Sequence, residues 1–321
     1  MIRISLISLI IFGSQAYLFG QQLPRFTQYA NNQTLLNPAA TGSKKFTQIY
    51  LVNRYQWVGF GSNAPNTQLI GGHSSIDKKN YGIGGYVFND SYGPYRNTGI
   101  NLSYSYHIKV ADKSKFSLGL SGALSMAGIK GSEILVNDAQ DIIIDQNSNK
   151  RSSFIDAGFG LLLYSENYFI GLSSLHLPQT ESKVFQGSSS LSSARHNYLM
   201  AGIVYDVNNE ISIKPSLYAN YIENNPLQLD LNVLLDYQKI VQVGVSYRSQ
   251  DAISLLFGYR FLDNWEILYS YDLIYTALRR ANVGSHELTL SYRYYYNPLY
   301  ADNAKSRYKL KKVKKSNEND D

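Results

Sequence analysis

Cysteine is absent from the 321 residues. That excludes disulfides, thiolate metal sites and a lipid-modified N-terminal cysteine. Long apolar runs are absent as well. After residue 20 no stretch approaches the roughly 18 consecutive apolar residues of a transmembrane helix. The histidines, at 73, 107, 176, 196 and 286, show no metal-ligand spacing such as HExxH. No glycine-rich phosphate loop follows a βα unit, and no repeat of solenoid period is present. The expectation is therefore a chain without cofactor, metal or catalytic site. The mature chain is either soluble and exported or crosses a membrane as a closed barrel, because lipid leaves no other way to satisfy strand backbones.

What is abundant is tyrosine, 28 residues of it. Its apolar ring and polar tip favour membrane–water interfaces and barrel girdles. Residues 1–20 have the layout of a secretory signal. Arg3 supplies the positive region, Ile4 to Phe12 form a short apolar stretch, and Gly13, Ser14, Ala16 and Gly20 are small. Cleavage fits after Gly20 or after Ala16; the alternative is a buried N-terminal strand.

The dominant pattern is alternation with period two, which sends successive side chains to opposite faces of a strand. Between Thr98 and Val110, apolar Ile100, Leu102, Tyr104, Tyr106 and Ile108 alternate with Gly99, Asn101, Ser103, Ser105, His107 and Lys109. Leu227, Leu229, Leu231, Val233 and Leu235 repeat the pattern, as do Val241, Val243, Val245 and Tyr247, and Leu288, Leu290, Tyr292 and Tyr294. The alternation is weaker over 66–76, 80–89 and 195–206. About 14 strands are predicted, near 44–54, 66–76, 80–89, 96–109, 114–126, 152–164, 167–177, 195–206, 209–221, 227–236, 239–249, 252–262, 264–275 and 285–296, at roughly the length a tilted strand needs to span a bilayer. Every second connection is short: Asp77–Lys79, Val110–Lys113, Ser165–Glu166, Val207–Asn208, Tyr237–Gln238 and Asp263. The others are often long, notably 55–65, 127–151 and 178–194. Such sorting belongs to outer-membrane barrels, with short periplasmic turns and longer outside loops. The fold class expected is all-β, a transmembrane antiparallel β-barrel; a soluble exported β protein is the alternative.

On the polar face of the last strands stand Asp230, Asp236, Arg248, Arg260, Glu266, Asp272, Glu287 and Arg293. Acids and bases alternate from strand to strand and are expected to pair across a wet lumen. An arginine facing lipid at mid-depth would cost about 2–4 kcal/mol. The network reads as structural, fixing register, or as a filter selecting a solute. Ser285 beside His286 raises a lipase-like barrel, but adjacent strand residues point to opposite faces and do not form a nucleophile–base pair. The tail carries Lys305, Arg307, Lys309, Lys311, Lys312, Lys314 and Lys315. It reads as a solvated extension or as electrostatic docking to anionic periplasmic partners; an exported chain does not meet nucleic acid.

Four segments together resemble the PorP/SprF family of type IX secretion system membrane proteins. Phe26-Thr27-Gln28-Tyr29 with Asn37-Pro38-Ala39-Ala40-Thr41-Gly42 is similar to the family's FSQY…NPAxAG opening. Gln56-Trp57-Val58-Gly59-Phe60 with Ala64-Pro65 is similar to its RxQWxGF…AP pattern. Gly258-Tyr259-Arg260-Phe261 with Tyr269-Ser270-Tyr271-Asp272 is the third, and Gly284-Ser285-His286-Glu287 with Leu290-Ser291-Tyr292-Arg293 the fourth. Thr41 departs from the family's usual small apolar residue. The resemblance runs from about residue 22 to 296. It implies a non-enzymatic outer-membrane protein acting in protein secretion and, in some relatives, gliding motility. Its partners would be other secretion components, outer-membrane lipid and secreted cargo with a C-terminal sorting domain, often one large adhesin. The alternative function is a passive or hydrophobic-solute channel. The organisation expected is a signal peptide at 1–20, a periplasmic N-terminal segment at 21–43 (a plug across the mouth or a floppy leader), a barrel at 44–297 and a basic periplasmic tail at 298–321. Trp57 and Phe60 are read as anchors at the outer rim or, alternatively, as cargo contacts.

Overall fold

A computed structural model describes residues 25–76, 80–134, 149–183, 190–262 and 264–295. The signal segment 1–20 and the tail from 298 onward lie outside the described residues. The strands are β1 (Thr47–Tyr55), β2 (Asn66–Ile76), β3 (Tyr81–Tyr92), β4 (Tyr95–Ala111), β5 (Ser114–Lys130), β6 (Asn149–Tyr164), β7 (Tyr168–Leu175), β8 (Glu181–Lys183), β9 (Ser190–Ser192), β10 (His196–Ile203), β11 (Tyr205–Asp206), β12 (Ile211–Ile222), β13 (Gln228–Tyr237), β14 (Val241–Arg248), β15 (Ala252–Phe261), β16 (Trp265–Ile274) and β17 (Ser285–Tyr294). β10 and β11 are one wall strand interrupted at Val204, and β8 and β9 form a separate hairpin inside a connection. The wall is therefore 14 antiparallel strands, each paired to its neighbours in chain order. It closes on itself where β1 pairs with β17, Thr47 opposite Tyr294 through Tyr55 opposite His286. Closure removes the free sheet edge around the cylinder. Where β6 runs beyond β7, over residues 149–158, it lacks a ladder partner on that side.

Strand β13 shows why the sequence takes this form. Asp230, Asn232 and Asp236 are buried, whereas Leu229, Leu231, Val233 and Leu235 are 38–54% exposed. The same inversion holds around the wall, with Ile49, Ile70, Leu102, Leu120, Leu172, Val245 and Phe257 turned outward. In water, exposing such a surface would be unfavourable by about 25 cal/mol per Å²; facing hydrocarbon, it is the favoured arrangement. The apolar ring of side chains is the contact surface for lipid.

The links between β3 and β4 (Gly93 and Pro94) and between β14 and β15 (residues 249–251) fall on the long-loop end yet are short. Strands β3, β4 and β5 run past the lengths expected, because residues 90–95 and 127–130 continue the ladder, with Tyr92 opposite Tyr95 and Ile129 opposite Tyr95. The longer connections are those between β1 and β2, β5 and β6, β7 and β10, and β16 and β17, all leaving one end of the wall.

The buried core lies within the cylinder. Residues 25–46 enter the lumen before β1, making two short 3-10 turns, Gln33–Leu35 and Pro38–Ala40. Tyr29, Leu35 and Leu36 pack on inward-facing Tyr50, Val52, Leu69, Tyr198 and Met200. Lower down, Ala39 and Ala40 pack on Leu162. Over β1–β3 and β6–β12 the inner wall presents rings and aliphatic groups to the plug, interspersed with polar residues such as Gln48, Thr67, His73 and Ser173.

Candidate functional site: a plugged lumen with two ionic layers

The plug is held chiefly through its backbone. Asn37, in extended conformation, caps the turn that follows: its Oδ1 accepts from the Ala39 N–H at 2.9 Å. Its Nδ2 donates to the wall carbonyls of Leu161 (3.0 Å) and Leu172 (3.3 Å), on adjoining strands β6 and β7. Ser173 Oγ donates to the Leu36 carbonyl at 2.6 Å. The Thr41 carbonyl accepts from Ser105 Oγ at 2.6 Å and lies 3.0 Å from His107 Nε2; the other ring nitrogen of His107 meets the Tyr164 hydroxyl at 2.9 Å. The wall makes room with glycine. A Cβ on Gly119 would stand 2.1 Å from the Ala39 nitrogen, and one on Gly160 would stand 2.0 Å from Asn37 Oδ1. The Asn-Pro-Ala-Ala motif and these inward glycines are two sides of one contact.

At the long-loop end the plug is latched by charge. Thr27 and Gln28 donate their backbone N–H groups to the two carboxylate oxygens of Glu287 at 2.7 and 3.0 Å. Arg54 bridges Asp272 (2.6 Å) and Glu287 (3.0 Å), and both Arg54 and Arg248 donate to Thr27 Oγ1. Arg248 also pairs with Asp230 at 3.0 Å and Asp251 at 3.3 Å, and Arg25 stands 3.6 Å from Asp251. Arg54 and Arg248 are among the most deeply buried large side chains of the protein. Ions this dry persist only when they are paired and hydrogen-bonded, and the latch leaves just Arg54 Nε and Asp230 Oδ1 without a partner.

The eight charges read from the sequence do face the lumen, but they do not form one network. Asp230, Arg248, Asp272 and Glu287 belong to the latch. Asp236, Arg260, Glu266 and Arg293 lie toward the short-turn end, where Lys214 binds Asp236 at 2.6 Å and Glu266 is shared between Arg260 (3.1 Å) and Arg293. Glu287 and Arg293 are six residues apart on β17, about 20 Å at strand rise. The sequence reading missed Arg54, Thr27 and Lys44. Arg54 was signalled by parity, since it continues the inward row Gln48, Tyr50, Val52. Lys44 sits at the foot of the plug. Burial, with Arg293 and Lys214 nearby, pushes its ammonium down to about 8.

At the long-loop rim, the Val58 N–H donates to the Gly284 carbonyl (2.8 Å) and the Val283 N–H to the Val58 carbonyl (2.7 Å). The β1–β17 seam is thereby prolonged above the wall, and the second and fourth motifs form one ledge. Gln56 is buried in it, Gly59 (φ +100) passes close to Asn282, and Trp57 adopts φ 52, a conformation uncommon for a residue with a Cβ. Trp57 packs near Phe60, which is 46% exposed. Ser285 Oγ accepts from the Trp57 N–H inside the ledge, whereas His286 bonds the Tyr269 hydroxyl on the outer face; the two side chains do not meet. Among the described residues no group of three or more His, Asp or Glu is placed to hold a metal ion. The basic residues Lys305 to Lys315 lie outside the described residues.

A family model described as type IX secretion system membrane protein PorP/SprF matches residues 18–292. The chain belongs to the PorP/SprF family. No curated protein matches it. Among solved structures, it is similar to a toluene transporter of Pseudomonas putida, TodX, at 10% identity and TM-score 0.51, covering 83% of this chain and 94% of that one. It is also similar to the CymD monoaromatic hydrocarbon channel, at 11% identity and TM-score 0.50, covering 87% and 95%. At such identities the likeness concerns the barrel fold alone. The protein is thus an outer-membrane β-barrel of the PorP/SprF family, and its sequence motifs are the plug, the seam ledge and the strands that carry the latch.

Proposed function

We propose that this PorP/SprF barrel is a non-enzymatic anchoring partner for secreted cargo, holding the C-terminal sorting domain of a surface protein such as an adhesin at its outer face. The observation that supports this reading is the occupied lumen. Residues 25–46 run through it, bonded to the wall at both ends, and the long-loop end offers a macromolecular partner a seam ledge with exposed Phe60. A rigid ledge carrying an aromatic side chain is suited to a hot-spot contact. A role in gliding motility would follow from the identity of the cargo.

The test is deletion of the gene followed by surface labelling of every sorting-domain cargo. The expected result is that at least one large cargo is lost from the surface and co-purifies with the wild-type barrel in mild detergent. Undiminished display of all cargo in the deletion strain would sink the reading. The rival, a passive channel, predicts steady conductance of the purified barrel in a planar bilayer.

A further inference from the structure

The short-turn end of the lumen holds more positive than negative charge. Lys44, Lys214, Arg260 and Arg293 face only Asp236 and Glu266 there, an excess of two cations among the described residues. The excess is also visible in individual atoms. Among the described residues no carboxylate lies within salt-bridge distance of Lys44, and the Nε–H groups of both Arg260 and Arg293 are buried without an acceptor, a shortfall shared in the latch by Arg54 alone. The latch at the other end differs: Arg25, Arg54 and Arg248 meet four carboxylates. Buried guanidinium donors without acceptors are costly, and their planar fork matches a carboxylate. This compartment is therefore short of carboxylate oxygens. Lys214 and Arg260 keep side-chain exposures of 32% and 19%, so an incoming group can reach them.

The sequence supplies such a group nearby. β17 ends at Tyr294 on this same end of the barrel, and the chain continues from there. Its charges are segregated: seven Lys and Arg between 305 and 315, then Glu318, Asp320 and Asp321 with no base among them. We propose that the basic compartment around Lys44, Lys214, Arg260 and Arg293 is a binding site for the carboxylates of an acidic peptide segment, and that residues 316–321 of the same chain occupy it. The 20 residues between 295 and 316 reach at most about 70 Å, well beyond the need, and a tether of this kind gives an effective concentration in the millimolar range. The positive block 305–315 would be repelled by the same compartment and stay outside it, which accounts for the order of the two charge blocks. This site is independent of the cargo reading, which concerns the opposite end.

The test uses the full chain in detergent micelles at pH 7 and low salt. A carbodiimide joins a carboxylate to an ammonium in direct contact. The expected product is an isopeptide from Glu318, Asp320 or Asp321 to Lys44 or Lys214, within one chain, identified by mass spectrometry and lost in 1 M salt. In parallel, a fluorescent peptide of sequence Ser-Asn-Glu-Asn-Asp-Asp should bind the chain truncated after Lys315 at least tenfold more tightly than the full chain, whose site is filled. Lys44→Gln in the truncated chain should weaken it about tenfold; no carboxylate among the described residues lies within salt-bridge distance of Lys44, so the variant breaks no ion pair there. Cross-links confined to the 305–315 lysines, or equal peptide binding by the full and truncated chains, overturn the assignment of residues 316–321. No peptide binding by the truncated chain, or binding unchanged by Lys44→Gln, overturns the site itself.

Discussion

Strands β12–β17 and strands β2–β7 line one lumen with different chemistry. Along β13–β17 the inward row is Asp230, Asn232, Asp236, Arg248, Arg260, Glu266, Asp272 and Glu287, and the alternation with outward Leu, Val and Tyr is clean. Along β2–β7 the inward row includes Leu69, Tyr86, Phe88, Gly119, Gly160 and Leu162, and the alternation fades over β2 and β3 while β4 and β5 keep it. The difference follows from what each half faces. The first meets ionic partners on neighbouring strands and the backbone N–H groups of Thr27 and Gln28. The second meets the plug, whose Leu35, Leu36 and Ala39 demand apolar or vanishing side chains. Inward residues match the stretch of plug they cover. They are charged where it offers backbone N–H groups and a hydroxyl, and hydroxyl or imidazole where it offers carbonyls. They are apolar or glycine where it offers Leu35, Leu36 and Ala39.

Four experiments would break or sharpen that contrast. The largest effect is expected in the charged half. Arg54→Ala leaves Asp272 and Glu287 buried without their shared cation and should destabilise by about 3–5 kcal/mol; heat-modified gel mobility in detergent would report it, and an unchanged transition would mean the latch is not dry. In the plug-facing half, Gly119→Val places a branched side chain where the Ala39 backbone lies. Overpacking of about 1–3 kcal/mol is expected, with the plug displaced, read as new protease cleavage between residues 25 and 46. Asn37→Ala removes the turn cap and strips two wall carbonyls of a donor, an expected loss of about 1–2 kcal/mol; calorimetry of the folded barrel would measure it. Phe60→Ala on the ledge should shift stability by no more than about 0.5 kcal/mol while reducing retention of cargo in pull-downs. A large stability loss there would make Phe60 a structural residue and remove it from the proposed contact.

The wall was legible from residues 96–126 and 227–296 because outward side chains must be apolar at every second position whatever lies inside. The weak stretches, 66–76, 80–89 and 195–206, were weak for a physical reason: both faces of those strands are covered, one by lipid and one by the plug. The eight lumen charges were legible as inward, but not as two layers, since pairing depends on register between strands and on Thr27 and Lys44 arriving from outside the wall. The link between Gly160 and Asn37 spans residues 123 positions apart and carries no local signal.

Period-two alternation, missing long apolar runs and sorted connection lengths determined the barrel, its strand number and its outer-membrane setting from sequence, because lipid imposes one rule on each strand separately. Tertiary structure alone decided that the N-terminal segment fills the lumen, that glycines clear its path and that the charges divide into a latch and a basic compartment. Those features arise from contacts between distant segments, whose partners are fixed only once the cylinder closes.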